Sequence, residues 1–420
     1  MRRFNLAAVT LGMALVIVAR GGEAHLGAQL YPGAATINPV DELNRRLREG
    51  TARLTFEGRS GYLRSTLDAL DVPVESQMLV FSQTSLLAKQ ISPSNPRAIF
   101  FNDTVQVGFV RGGEILEIAT QNIEEGVVFF TLDQRPTAGV PQFRSSTICL
   151  SCHKTRDTLG MPGLMTLNTL PQAEVKLFAT GTVPDHRSAF EDRWGGWYVT
   201  GSSGAAVHRG NQVPAVAARA SRELASVDGL FDTDGYLSTH SDVAALMVFL
   251  HQTRMTNLIS RIAWEARDAQ GRARTVLVAA PGENLRVADQ MRDITAEFVD
   301  YLLFVDELKL AGGIKSLSGF VEKFSTAGPR DSRGRSLREL DLSRRLMRYP
   351  CSYLIYSAAF DALPALAKES IYARMWQILS GEEQDRRYTA ALSPADRRAI
   401  VEILRETKKD LPAYFSAAGL

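Results

Sequence analysis

The chain has 420 residues, with 48 basic and 46 acidic side chains, a formal net charge of +2 and three cysteines. So even a charge balance argues against generic nucleic-acid binding, and three cysteines are too few for a disulfide framework. Its length and 45% apolar content suffice for one large domain or two to three smaller ones, each with its own core.

Residues 1–24 read as a signal peptide. Met1-Arg2-Arg3 is basic, residues 6–19 are apolar and uncharged, and small residues lead to Ala24 or Ala28 as cleavage positions. The apolar run falls short of the ~20 residues that span a bilayer, so no stable transmembrane anchor is expected. Loss of the leader removes three arginines and one glutamate, leaving 45 charges of each sign. An exported, periplasmic location follows as the expectation.

After a linker over 25–42, residues 43–144 are expected to form an α+β region. Residues 43–70 look helical around an interruption at Gly61. Runs rich in β-branched and aromatic residues at 78–81, 98–101, 105–109, 115–118 and 127–131, separated by Pro-Ser-Asn-Pro and Arg-Gly-Gly turns, predict a small, mostly antiparallel sheet. Residues 145–238 are loop-rich, and residues 239–420 are expected to be helical, with helices over 240–267, 284–310, 359–379 and 394–408. The predicted fold class is therefore α+β, with its helices concentrated in the C-terminal half.

The loop-rich segment opens with Cys149-Leu150-Ser151-Cys152-His153, which spells C-x-x-C-H, the attachment signature of a c-type haem. Two thiols three positions apart can each bond one vinyl group on a single porphyrin edge, and the adjoining imidazole is then placed to ligate the iron. A zinc half-site or a redox dithiol also uses C-x-x-C, but zinc normally needs a second ligand pair at similar spacing, which the chain lacks. One covalent haem c is the expected cofactor, and a secreted apoprotein is the form in which it is attached. The third cysteine, Cys351, sits among apolar residues and reads as a buried, inert thiol.

Residues 149–164 resemble the attachment segment of small monohaem cytochromes c. There a Gly-Pro-like turn follows the motif, and the proline carbonyl accepts a hydrogen bond from the proximal histidine. The resemblance implies that Pro162, in Gly160-Met161-Pro162-Gly163-Leu164, orients His153 in that way. It also implies a methionine well downstream as sixth ligand, and here the sequence departs from the pattern. Met161 and Met165 are too close to the motif to reach the opposite haem face, and the next methionine is Met247.

His208, 55 residues after His153, occupies that window and is the expected distal metal ligand. His186, and His240, Met247 and His251 on one helical stripe, are alternatives, as is the absence of a protein ligand. Arg187, Arg193 and Arg209 are candidate partners for the propionates. The arginines between 328 and 348, interrupted by acids, read as a salt-bridged face.

The stretches 194–201 and 348–357 resemble a group of large exported bacterial proteins with one haem c motif, which implies cytochrome c character and no particular activity. The expected function is electron transfer to a redox partner protein by an exported monohaem cytochrome. The alternative is a haem enzyme of peroxidase or oxygenase type, or a haem-based sensor, with an open or labile distal site.

Overall fold

The computed structural model describes residues 38–169, 181–213, 223–275 and 281–416, which belong to a single compact unit. The expected leader over 1–24 and most of the linker lie outside them. The protein is α+β: a six-stranded antiparallel sheet in the N-terminal half and helices in the C-terminal half.

Asn38 opens the first helix, α1 (Pro39–Arg48), by accepting hydrogen bonds from the backbone N–H groups of Val40 and Asp41. The helical stretch expected over 43–70 is two helices, α1 and α2 (Leu63–Ala69). Between them, Gly50 and Gly61 take positive φ values of 72° and 60°, which end one helix and turn the chain into the next.

The sheet is a meander of β1 (Met78–Val80), β2 (Arg97–Phe101), β3 (Val105–Phe109), β4 (Ile115–Asn122), β5 (Gly126–Asp133) and β6 (Arg144–Ser145), neighbours in sequence pairing throughout. Two asparagines make its tight turns. Asn102 Oδ1 accepts from the N–H of Thr104 and Val105, and Asn122 Oδ1 from those of Glu124 and Glu125.

Strand alternation then sorts the side chains. Phe100, Val107, Ile118 and Phe130 share one face, where they bury against Val40, Leu43 and Leu47 of α1 and Leu63 and Leu67 of α2. On the other face the register lines up Ile99, Gly108 and Glu117, and beside them Phe101, Gln106, Ala119 and Phe129. That second face receives α4 (Val243–Thr275), the long central helix, with the rings of Phe101 and Phe249 5.0 Å apart. The loop-rich segment before it contributes α3 (Leu150–His153) and the stretch around Trp197, which bridges to Val80 at the β1 edge of the sheet.

Asp242 starts α4. One carboxylate oxygen accepts from Ala244 and Ala245, and the other from Ser316, Leu317 and Ser318. Residues 243–250 are buried on every side, so the first turns of α4 are a core element and not an amphipathic one. Around it pack α5 (Pro281–Leu302), α6 (Phe320–Thr326), α7 (Ala365–Ser380) and α8 (Pro394–Thr407). The helix expected over 284–310 stops at Leu302 because Phe304 and Asp306 adopt positive φ. No helix among the described residues is long and apolar enough to cross a membrane.

Asn257 of α4 joins the two halves. Its side-chain oxygen accepts from Leu164 N–H, and its NH2 donates to Leu164 C=O, both at 2.8 Å. Replacing Asn257 with Ala strands two buried backbone groups, each costing about 1–3 kcal/mol. The expected result is a fall of about 2–6 kcal/mol in unfolding free energy by urea titration.

Candidate haem site

The C-x-x-C-H segment hangs from the edge of β5. Ser146 N–H donates to Phe129 C=O (2.9 Å), and the chain then turns through a short 3-10 segment (Thr147–Cys149) into α3. Helical winding puts positions three apart on one side, so Cys149 and Cys152 face the same space. Both thiols are free, and Cys149 Sγ lies 3.6 Å from Ser146 Oγ. Burial pushes the Cys149 thiol up, the contact with Ser146 opposing it.

The loop after the motif folds back onto it. Thr155 and Thr158 close a capping box, and Leu159 and Gly160 take positive φ to reverse the chain. Gly163 then meets His153 twice: its N–H donates to His153 C=O (2.8 Å), and its C=O faces His153 Nδ1 (2.9 Å). A carbonyl can only accept, so Nδ1 carries the proton and Nε2 is the bare nitrogen. Nε2 has no hydrogen-bond partner among the described residues. Burial holds the ring's pKa below its ordinary value, against the opposing bond to Gly163, which favours the neutral imidazole.

This corrects the expectation for Pro162. Its carbonyl instead accepts from Val127 N–H on β5 (2.9 Å), so the next carbonyl, that of Gly163, meets the histidine. Gly163 itself is held close to α4: a Cβ there would stand 2.5 Å from Asn257 Oδ1.

Cys149, Cys152 and His153 line one cavity of ≈ 110 Å³. Its floor is the second face of the sheet, with Gly108 and Ala119 at the centre, Phe129 against the His153 ring (4.7 Å between centroids), and Arg97 and Glu117 on the β2–β4 side. Leu164, Met165, Trp197 and Phe249 complete the walls.

The donor set suits a covalent haem: two thiols on one side of a helical turn, a bare imidazole nitrogen, and a floor where Gly108 and Ala119 leave space between larger side chains. The enclosed space is smaller than a tetrapyrrole, so part of the macrocycle would lie outside it. Among the described residues no group of three or more His, Cys, Asp or Glu side chains is gathered to hold a metal ion by itself, which leaves the zinc reading without further ligands.

The other expected site residues are not brought to this cavity. His208 is turned away by the Trp194–Trp197 loop. Its Nδ1 accepts from Gly210 N–H (3.0 Å), and its ring lies edge-on to Trp194, 5.4 Å between centroids. His186 and His251 bond each other, Nδ1 to Nδ1 at 2.9 Å, inside a stack with Tyr301 and Phe304. Met247 is packed in the core of α4, and His240 lies just before that helix, also outside the cavity lining.

Arg187 pairs with Asp185, Arg209 with Asp192, and Arg193 donates to the carbonyls of His186 and Ser188. The cavity's own guanidinium, Arg97, was not singled out from sequence, nor was Glu117. They are 20 positions apart on strands that do not touch, and only the register through β3 brings them together. Comparison with protein-family models, curated proteins and solved structures gives no match to this chain.

The buried histidines predict a pH dependence. Burial lowers His208 from the usual 6.5 to about 4 and His251 to about 3. The unfolded chain takes up protons that these rings refuse when folded. Their contribution is therefore whole above pH 6.5 and is lost as pH falls toward 4 and 3, at up to about 1.4 kcal/mol per pH unit for each. Urea midpoints should drop between pH 7 and pH 4.5, and His208→Gln should flatten the drop. An identical pH profile in that variant would contradict the assignment.

Proposed function

We propose that this chain is an exported monohaem c-type cytochrome that passes electrons to a redox partner protein. One observation carries the reading: both motif cysteines and His153, whose Nδ1 is taken by the Gly163 carbonyl, line one cavity on the second face of the sheet. The leader-like residues 1–24 agree with it, since haem c is attached outside the cytoplasm. A bound haem would supply one-electron chemistry at its iron.

The protein's part is to hold that group and set its surroundings. Cys149 and Cys152 would bind it through thioethers. His153 would be the proximal ligand, its tautomer and direction held by the Gly163 carbonyl, and a hydrogen bond at Nδ1 makes an imidazole a better donor at Nε2. Phe129, Leu164, Trp197 and Phe249 would keep water from the inner face, where low polarity favours the less charged oxidation state. The motif segment itself is exposed at Ile148 (63%) and Ser151, and a partner would approach there.

The test is expression into a periplasm equipped for haem c attachment, followed by a denaturing gel and a haem stain. A stained band at the size of the chain is expected, and it should vanish in the double variant Cys149→Ala, Cys152→Ala. A wild-type protein without stain, or a stain that survives the double substitution, would falsify the proposal.

A further inference from the structure

The placement of the remaining imidazoles and thioethers carries a second conclusion, which rests on the haem reading above. An iron held by His153 is closed to outside ligands only if the protein supplies a sixth donor. His186 and His251 are spent on each other, and His251 Nε2 also meets Ser352 Oγ at 2.8 Å. His208 is packed on Trp194, and neither it nor His240 lines the cavity. The methionines other than Met165, among those described, are buried in the cores or the motif loop and do not line it either.

Met165 does line the cavity but starts from the wrong side. Gly163, two residues earlier, sits against Nδ1, the edge of the ring turned away from the metal-binding nitrogen. Two residues span about 7 Å at most, too little to pass around a macrocycle. Of the chain's histidines and methionines, only Met1, Met13 and His25 lie outside the described residues.

What faces the cavity instead is a charged pair. Arg97 reaches from β2 across Gly108 on β3 to Glu117 on β4, with Nη2 2.8 Å from Oε2. A Cβ on Gly108 would lie 2.5 Å from that same Nη2, so the glycine is what allows the guanidinium to lie across the sheet. Strands are about 4.8 Å apart, which sets the pair roughly 5–10 Å along the floor from Phe129 and the His153 ring. Arg97 Nε and Glu117 Oε2 are both buried and without a hydrogen-bond partner, so the pair is not closed on itself. A buried donor in that state is unfavourable until an acceptor arrives.

The geometry points to a binding site for a small exogenous anion at the sixth position of the iron, with Arg97 donating to it and Glu117 holding the guanidinium in place. Glu117 is a positioning residue; Arg97 touches the ligand. Anions of two or three atoms fit this chemistry, because a guanidinium offers several directed N–H groups and only part of its fork is turned to Glu117. The same donor can instead reach a haem propionate, and the probes below separate the two sources.

The experiment uses the matured, haem-loaded protein with carbon monoxide as a neutral probe and azide as an anionic one, both followed by absorbance. The ferrous form is expected to bind carbon monoxide and the ferric form azide. Arg97→Gln should weaken azide about tenfold or more and carbon monoxide by much less, and Arg97→Lys should fall between. Gly108→Ala should shift azide in the same direction by displacing the guanidinium.

A ferrous protein that ignores carbon monoxide would overturn the inference, as would a low-spin ferric spectrum that turns high-spin on His25→Ala. Equal azide affinity in Arg97→Gln would assign Arg97 to the propionate and overturn its role here. Failure of the haem reading is distinct, since then no stained band exists to titrate. Thermal melts of each variant identify any loss of fold.

Discussion

Residues 162–164 are tied to three different parts of the protein, and the candidate site depends on those ties. Pro162 C=O takes the N–H of Val127 on the sheet, Gly163 bonds both backbone and ring of His153, and Leu164 is bracketed by Asn257 of the central helix. Sheet, motif and helix therefore cannot shift independently. The Nδ1 bond sets the tautomer, the tautomer bares Nε2, and the bare nitrogen is what gives the cavity its coordinating character. A glycine at 163 is required because α4 comes within 2.5 Å of where a side chain would begin.

The sheet serves two purposes with one alternation. Its inner face is continuous hydrocarbon over α1 and α2, the usual source of stability for an antiparallel sheet. Its other face is interrupted by Gly108, Ala119, Gln106, Glu117 and Arg97, a poor surface for packing another layer and a good one for a planar ligand. The helical half closes that face through Phe249, and the loop segment before it through Trp197. The size of the chain thus has a physical use: the central helix and its neighbours hold the motif loop against the sheet from behind.

The buried histidine pair belongs to that support. His186 comes from the loop before Trp194, His251 from the middle of α4, and Ser352 from the segment leading into α7. Their bonds tie the loop segment to the helical core where sequence alone suggested metal ligands. The arginines between 328 and 348 act likewise. Arg338 is buried and pairs with Asp103 in the β2–β3 turn, while Arg335 and Arg345 bond Glu402 and Asp396 of α8.

Local chemistry was legible in the sequence. The spacing of Cys149, Cys152 and His153 is a property of five consecutive residues, the β-branched and aromatic runs at 115–118 and 127–131 announce β4 and β5, and Ser393-Pro394 announces the start of α8. What the sequence could not decide involved residues far apart in the chain. Whether Pro162 or Gly163 offers its carbonyl depends on where β5 lies. Whether a histidine is a ligand or a packed core residue depends on its neighbours in space: His208 meets Trp194, and His186 meets His251 across 65 positions. The Arg97–Glu117 pair exists only through strand register. Covalent reactivity is set by neighbours along the chain, but a cavity's second wall is set by packing, and packing belongs to the tertiary structure.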